Sequence, residues 1–400
     1  MVPIQHIFKL NAAARPGRMI ALARGSMYSF QQQGMISGAD SFKSSTPTFG
    51  KIPYLAMSFG ILVGSGLALY HTGSQKIQLE ALPVKEPAVS SMGERMSTYI
   101  KNLQQEIVNE ISTIDGKRFK QDSWQRALGG EGISCVLENG NVFERAGVNI
   151  SVVHGKLPMA AVKQMRAEAS AQLTGEGPFD FFTASISLVI HPHNPMAPTV
   201  HLNYRYFEVQ DPNAPGKPVW WFGGGSDLTP SYLFEDDARH FHSTLQAACS
   251  PHNAEFYPKF KKWCDKYFVN THRGEARGIG GIFFDDLDHA SGDQESLFKF
   301  VQDCGNAFLP SYIPLVQRRK GFAFTPAQKE WQQLCRGRYV EFNLIHDRGT
   351  KFGLHTPNPR IESILVSLPL TARWMYDVKP SPGSPEEHLV NVLKNPREWV

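Results

Sequence analysis

Two adjacent segments, 181–191 and 199–210, are rich in β-forming residues and alternate between apolar and polar side chains. The residues between them include Pro192 and Pro195, and proline cannot pair within a central ladder. The intervening stretch is therefore predicted to be a loop that joins two strands.

A second pair of β-rich segments lies upstream, at 133–138 and 142–153. Asn139-Gly140 separates them and is a strong signal for a hairpin. Because the strands come as neighbours and not in strict alternation with helices, the sequence predicts an α+β fold. Its antiparallel or mixed sheet would be covered by helices.

Helical periodicity dominates the second half of the chain. The segments 234–248 and 254–269 repeat apolar residues at helical spacing, which predicts two amphipathic helices. In the second of these helices the lysines are predicted to face solvent. The segment 338–347 is predicted to be a strand, and 361–368 a last helix on the core.

The first residues do not resemble a folded domain. Residues 1–51 hold six Lys or Arg residues and one acid, a composition typical of a mitochondrial transit peptide; a disordered tail is the alternative. An uncharged run follows at 52–75, close to the roughly 20 apolar residues that a membrane span needs. Together these features predict that residues 1–92 are a two-part presequence followed by a linker. The presequence would sort the folded domain, residues 93–400, to the mitochondrial intermembrane space. A retained inner-membrane anchor is the alternative.

Charge and cysteine content exclude several classes of protein. The chain has 41 basic and 37 acidic residues, of which six basic residues and one acidic residue lie in 1–51. The remaining body therefore has 35 basic and 36 acidic residues and is nearly neutral. Such a body does not indicate binding to nucleic acid. The five cysteines are scattered without a C-x-x-C pair, which predicts buried free thiols.

The segment 199–210 carries the most chemistry. Side chains alternate between the faces of a strand, so His201, Asn203 and Arg205 share one face. A titratable ring, an amide and a fixed cation could hold a carboxylate and move a proton. A solvated outer face of a half-buried sheet is an equally good interpretation.

Three consecutive glycines, 223–225, follow an aromatic strand and precede Asp227. Glycines allow a ligand to approach the backbone closely, and Asp227 could accept N–H bonds there. On the pattern alone, a tight turn in which Asp227 or Thr229 caps the next helix is favoured.

A third group of charged residues lies near the C-terminus. Asp347 and Arg348 are predicted to lie at a turn that closes a strand, and Arg360 follows. A clamp for a substrate carboxylate and a surface ion pair are both compatible with this pattern. The fourteen histidines show no recognised metal motif, and no metal site is predicted.

Many ordered motifs from about residue 93 to residue 400 resemble those of the oxygen-dependent coproporphyrinogen III oxidase family, and the leader resembles its mitochondrial branch. The most distinctive motifs are His201-x-Asn203-Tyr204-Arg205, Trp221-Phe222-Gly223-Gly224-Gly225, Phe283-Phe284-Asp285-Asp286-Leu287 and Asp347-Arg348-Gly349-Thr350. The resemblance implies a single catalytic domain with a large antiparallel sheet flanked by helices on both faces. It also implies a homodimer with contacts in 339–358.

The resemblance implies a reaction as well as a fold. Two propionates of coproporphyrinogen III would be oxidatively decarboxylated to vinyl groups, giving protoporphyrinogen IX, carbon dioxide and hydrogen peroxide. Dioxygen would be the co-substrate, with no organic cofactor. A non-catalytic tetrapyrrole carrier and a histidine–metal dioxygenase are the competing hypotheses.

Residue roles follow from the matching positions. The resemblance implies His201 as proton donor, and Asp227 and Asp347 as acids that bind pyrrole N–H groups or act as base. Arginines suit propionates because guanidinium groups make two-pronged contacts with carboxylates. The implied substrate contacts are Ser187, Asn203, Tyr204, Arg205, Arg348, Asn358, Pro359 and Arg360.

Overall fold

The computed structural model of the chain describes residues 90–400 except 128, 161, 163–171 and 356–358. The predicted leader and the apolar run 52–75 lie outside the described residues. The division into 1–92 and 93–400 therefore stays a prediction. Within the described residues, no helix has the length and apolar character needed to cross a membrane.

Seven strands of the described chain form one sheet in which every neighbouring pair is antiparallel, in the order β1-β2-β3-β4-β5-β6-β9. Their bounds are β1 Lys120–Gln125, β2 Gly130–Glu138, β3 Phe143–Leu157, β4 Phe179–Pro192, β5 Thr199–Gln210, β6 Val219–Thr229 and β9 Gly281–Leu287. A separate small hairpin consists of β7 Val269–Asn270 and β8 Glu275–Ala276. The predicted antiparallel sheet is thus confirmed.

Helices pack against both faces of this sheet. Their bounds are α1 Met92–Asp115, α2 Glu235–Cys249, α3 Phe256–Tyr267, α4 Gln294–Asn306, α5 Phe308–Arg319, α6 Pro326–Glu341, α7 Arg348–His355, α8 Ile361–Leu365 and α9 Pro385–Lys394. A five-residue π-helix, Phe342–His346, joins α6 to the residue before α7. The described residues form a single α+β domain, as predicted.

The predicted hairpin at Asn139-Gly140 joins β2 to β3. Asn139 has a positive φ of 52°, a conformation that asparagine tolerates better than most residues. The carboxylate of Asp115, at the end of α1, accepts backbone N–H bonds from Val142 and Phe143 at 2.8 Å. The turn is therefore fixed both by its own residues and by α1.

The apolar face of the sheet is the main core of the domain. Leu202, Tyr204 and Tyr206 of β5 point into it and are fully buried. Helix α1 covers this face with a stripe at helical spacing, running from Met96 to Ile111. Because one face is sealed in this way, the register of the strands fixes which side chains reach the other face.

The prediction of a strand at 338–347 was wrong. Helix α6 begins with a capping box between Thr325 and Gln328 and continues through Glu341 into the π-helix. Gly337 does not end the helix. It leaves room for the carbonyl of Arg373, which a Cβ at Gly337 would approach to 2.7 Å.

The prediction for the lysines of α3 was wrong at Lys261. This lysine is buried, donates to the carbonyl of Arg397 at 2.6 Å and pairs with Asp265 at 2.7 Å. Its long side chain reaches the C-terminal segment, which periodicity within α3 could not indicate. The helix predicted at 361–368 ends at Leu365 and is followed by α9, so it is not the last helix.

All five cysteines are free and four of them are buried, as predicted, whereas Cys335 is partly buried. Burial raises the pKa of the Cys135 thiol to about 11 and that of Cys335 to about 12. These thiols therefore act as packing groups and not as nucleophiles.

Candidate functional site

The floor of the candidate site is the polar face of β5. His201, Asn203 and Arg205 are half-buried there, whereas Leu202 and Tyr204 between them are fully buried on the other face. The alternation predicted from the sequence is confirmed. The floor continues across the sheet, since Ser187 of β4 pairs directly with Asn203.

His201 and Asp227 form a hydrogen-bonded pair across two strands. The register places them opposite each other on β5 and β6, and Nδ1 of His201 lies 2.7 Å from Oδ1 of Asp227. Asp227 therefore does not cap a helix at a turn, which the sequence pattern alone had favoured. It lies within β6, where one carboxylate oxygen orients the imidazole.

The second oxygen of Asp227 is also occupied. Arg277 donates to Oδ2 from Nη2 at 2.5 Å, and both side chains are 2% exposed. Burial opposes charge on Asp227, but the positive charge of Arg277 and the His201 hydrogen bond outweigh it, so the pKa of Asp227 lies below its usual value. The imidazole of His201 is thus hydrogen-bonded to a carboxylate, Asp227, whose charged form is favoured.

Aromatic rings enclose this buried ion pair. The guanidinium of Arg277 lies 4.2 Å from the ring centroid of Phe268 and 4.9 Å from that of Phe342. Phe268 also meets the ring of His201 edge-on at 5.8 Å. These rings and the burial of both charged side chains keep the Arg277–Asp227 pair away from water, which strengthens their electrostatic interaction.

A second charged group lies beside the first. Asp285 of β9 accepts from Nη2 of Arg205 at 2.7 Å and from Nη2 of Arg348 at 3.5 Å. Arg205 also donates to Oδ1 of Asn203 at 2.9 Å. Two arginines, one from the sheet and one from the start of α7, are thereby held on the same side of the sheet.

Asp347 lies next to these arginines and does not close a strand as predicted. Its N–H donates to the carbonyl of Phe342, the bond that ends the π-helix, and its Oδ2 accepts from the N–H of Thr350 at 2.6 Å. Asp347 is therefore the N-cap of α7. Its Oδ1 accepts from the hydroxyl of Tyr267 at 3.2 Å, and the side chain remains half-exposed.

The substrate contact that the resemblance implies for Tyr204 stays a prediction, and the structure places its side chain away from the polar face. Tyr204 is fully buried on the apolar face and packs against Phe284 at a centroid distance of 6.1 Å. Since its neighbours Asn203 and Arg205 occupy the polar face, its side chain must point the other way.

Arg360 is not brought together with Arg205. It pairs with Asp122 of β1 and lies 5.4 Å from the ring centroid of Trp124. Asp122 is in the same cross-strand row as Asn203, on the same face, but four strands away. At about 4.8 Å per strand, Asp122 lies about 19 Å from Asn203. Pro359 immediately precedes Arg360, and Asn358 lies outside the described residues.

Sequence reasoning missed Arg277, Asp285 and Tyr267 as site residues. Arg277 and Asp285 occur within motifs that the chain shares with the family, but nothing local indicated their charge partners. Within the described residues, no group of three or more His, Cys, Asp or Glu side chains is arranged to hold a metal ion.

These features define an α+β protein whose sheet presents an acid–base pair beside two arginines, an arrangement suited to an anionic substrate that exchanges protons. A family model described as coproporphyrinogen III oxidase matches residues 95–399. The chain belongs to the coproporphyrinogen III oxidase family.

Individual relatives agree with this assignment. The human oxygen-dependent coproporphyrinogen-III oxidase, mitochondrial, is 55% identical over 325 residues, which are 78% of this chain and 71% of the relative. The Drosophila melanogaster oxygen-dependent coproporphyrinogen-III oxidase is 55% identical over 78% of this chain and 79% of its own length. The Arabidopsis thaliana coproporphyrinogen-III oxidase 1, chloroplastic, is 54% identical over 78% and 80%.

Proposed function

We propose that this chain catalyses the oxygen-dependent oxidative decarboxylation of coproporphyrinogen III to protoporphyrinogen IX in haem biosynthesis. The observation that carries the proposal is the shared polar face, where the His201–Asp227 pair lies beside Arg205 and Arg348. The family and its relatives, whose names carry this activity, support it.

The reaction balances with dioxygen as the oxidant. At each of two propionates, the carboxyl group leaves as carbon dioxide and the β-carbon loses one hydrogen, so a vinyl group forms. The substrate gives up two electrons per vinyl group. Dioxygen takes these electrons with two protons, one from the β-carbon and one from solvent, and becomes hydrogen peroxide.

The arginines bind the anionic arms of the substrate. Guanidinium groups make two-pronged, charge-assisted hydrogen bonds with carboxylates, which fix orientation as well as affinity. Arg205 is held on the sheet and Arg348 at the start of α7, so a propionate between them is fixed relative to His201. Orientation is the main contribution, because a reduced, electron-rich tetrapyrrole already reacts with dioxygen.

His201 is the proton donor in this proposal. Its Nδ1 is engaged by Asp227, so Nε2 is the ring nitrogen that exchanges a proton with a bound molecule. The buried carboxylate of Asp227 holds the ring in one tautomer and one orientation. Asp227 thus acts through His201, and not as the carboxylate that faces the pyrrole N–H groups.

Asp347 is the better candidate for that second role. It is half-exposed and lies beside Arg348, and its position is fixed by Tyr267 and by its own capping bond. A carboxylate there would accept pyrrole N–H bonds and stabilise positive charge that develops as the pyrrole loses electrons.

An anaerobic mixing experiment tests the proposed activity. Protein and coproporphyrinogen III are combined without oxygen, oxygen is then admitted, and vinyl product, carbon dioxide and hydrogen peroxide are quantified. We expect all three to appear only after oxygen, with one peroxide per carbon dioxide. Binding without any product would favour a carrier, and activity abolished by chelators would favour a metal dioxygenase over an oxidase without a metal or organic cofactor.

The predicted homodimer is proposed with its contacts in 339–358. Exposed apolar side chains in this range support it, namely Leu344, Ile345 and Phe352. Sedimentation equilibrium should give a dimer that Ile345→Lys dissociates. Phe324→Lys, at an equally exposed phenylalanine outside this range, should leave the dimer intact. A monomeric wild type would contradict the proposal.

The proposed location is the mitochondrial intermembrane space. The basic, acid-poor leader and the uncharged run 52–75 support it. In isolated mitochondria, protease should degrade the mature domain after the outer membrane is ruptured and not before. Carbonate extraction would then show whether the protein stays attached to the inner membrane.

A further inference from the structure

Asp285 links two arginines that come from distant parts of the chain. Its Oδ1 lies 2.7 Å from Nη2 of Arg205 on β5, and its Oδ2 lies 3.5 Å from Nη2 of Arg348 at the start of α7. The three side chains are 30%, 15% and 65% exposed for Arg205, Asp285 and Arg348. The bridge is therefore partly open to solvent and accessible to a ligand.

Two local features of the sheet make this bridge. A β-bulge places both Asp285 and Asp286 opposite Gly223, and Asp286 adopts a positive φ of 60°. Bulges re-aim side chains relative to a regular strand, and here Asp285 is directed toward Arg205 across β6.

The Arg205–Asp285 ion pair passes over the backbone of Gly223 on β6. A Cβ at this position would lie 2.6 Å from Oδ1 of Asp285 and 2.9 Å from Nη2 of Arg205. Such distances are too short for real contacts, so any larger residue would push the pair apart. A side chain at position 223 would therefore displace the charged ends of both Arg205 and Asp285 from their present contact.

Asp285 does not use all the hydrogen-bond donors of Arg348. The two side chains meet only at 3.5 Å and Arg348 is 65% exposed, so its guanidinium can also bind a substrate carboxylate, although Asp286 adds a further negative charge nearby. On its other side, the Arg348 guanidinium lies 5.1 Å from the ring centroid of Tyr267, so this arginine is held from two directions. The bridge also ties the start of α7 to β9.

We propose that Asp285 is a positioning residue that holds Arg205 and Arg348 at the spacing needed to receive one substrate carboxylate, and that Gly223 makes this bridge possible. This inference rests on the proposed function for the identity of the carboxylate. The bridge itself rests on the contacts within the free protein.

Asp285→Asn and Gly223→Ala test the bridge in different ways. The first removes the central charge, so the arginines repel each other; the second keeps every charge and displaces the pair. Both should lower kcat for coproporphyrinogen III at least about tenfold while KM changes less than about threefold, because the carboxylate still binds but is misplaced. Gly321→Ala is the matched control, since a Cβ there meets nothing within 4 Å.

Hydrogen–deuterium exchange of the free proteins gives a readout that does not depend on turnover. The amides of α7 should exchange faster in both variants than in wild type and in the control. The exchange rates of the sheet amides should not change. Unchanged exchange in α7, or unchanged kcat in both variants of an active enzyme, would overturn the inference. Faster exchange throughout the sheet would also overturn it, since Asp285 would then be merely structural. A wild type without oxygen-dependent turnover would instead contradict the proposed function, and the exchange data would still decide the bridge.

Discussion

Nδ1 of His201 lies 2.7 Å from Oδ1 of Asp227, and the other oxygen of that carboxylate is paired with Arg277 inside the protein. The imidazole of His201 therefore faces a charged carboxylate, and Arg277 pairs with that carboxylate on its opposite side. This arrangement fixes the ring without leaving the acid free to bind a ligand. In the proposed function, Asp227 and Asp347 therefore take different roles, which the family resemblance had assigned to them together.

Asp227→Asn should affect both stability and turnover. The change leaves Arg277 buried without a counter-charge, so we expect the free energy of unfolding to fall by about 3 kcal/mol or more. We also expect kcat to fall about a hundredfold or more, because His201 loses its orienting carboxylate. Denaturant titration and steady-state kinetics measure the two effects.

Asp180→Asn is the control for this substitution. Asp180 pairs with Lys156 at the surface of the same sheet, and such exposed pairs contribute at most about 1 kcal/mol. A drop in stability and kcat at Asp180 equal to that at Asp227 would refute the special role of the buried pair.

Two substitutions at Asp347 separate its structural role from its charge. Asparagine is as good an N-cap as aspartate, so Asp347→Asn should keep α7 folded while removing the carboxylate. Asp347→Ala removes both and should cost about 1 kcal/mol in stability. If the charge serves the reaction, both variants lose most of their kcat. Full activity in Asp347→Asn would show that the residue acts through capping alone.

Glu341, at the end of α6, should make the stability of the domain depend on acid pH. It accepts hydrogen bonds from Arg273 at 2.5 and 2.6 Å, from His272 at 2.7 Å and from Trp374 at 2.9 Å. Burial alone would raise its pKa, but these bonds outweigh burial and lower the pKa to about 2. The charged form is thus favoured in the folded protein.

Since the folded pKa of Glu341 lies below the unfolded value of about 4.3, its contribution is complete above that pH and is lost as pH falls toward 2. Glu341→Gln should lower the free energy of unfolding by about 2 kcal/mol at neutral pH, allowing for the partly exposed partners, and by progressively less in acid. Unfolding curves from pH 7 to pH 2 test this. Glu131→Gln, in an exposed pair with Lys101, should show no such convergence with wild type.

The faces of β5 could be predicted because strand alternation is a local property. His201 and Arg205 are half-buried on one side and Tyr204 is sealed on the other, as the period of two requires. The hairpin at Asn139-Gly140 was equally local. Both features could be predicted from a few consecutive residues, although α1 also holds the turn through Asp115.

The partners across the sheet could not be predicted in the same way. Arg277 reaches Asp227 from a loop fifty residues later, and only the strand register brings them together. Asp285 is directed to Arg205 by a bulge, an irregularity that no periodicity encodes. The 338–347 segment alternates like a strand, yet the capped helix before it continues through it.

Binding of coproporphyrinogen III under anaerobic conditions tests the central claim that the polar face of the sheet is the substrate site. The dissociation constant is measured for wild type, Arg205→Ala and Arg373→Ala, the last of these at an exposed surface arginine that pairs with Glu330. Losing a charge-assisted contact should weaken binding to Arg205→Ala about tenfold or more, and leave Arg373→Ala equal to wild type. Equal affinity of all three proteins would contradict the account.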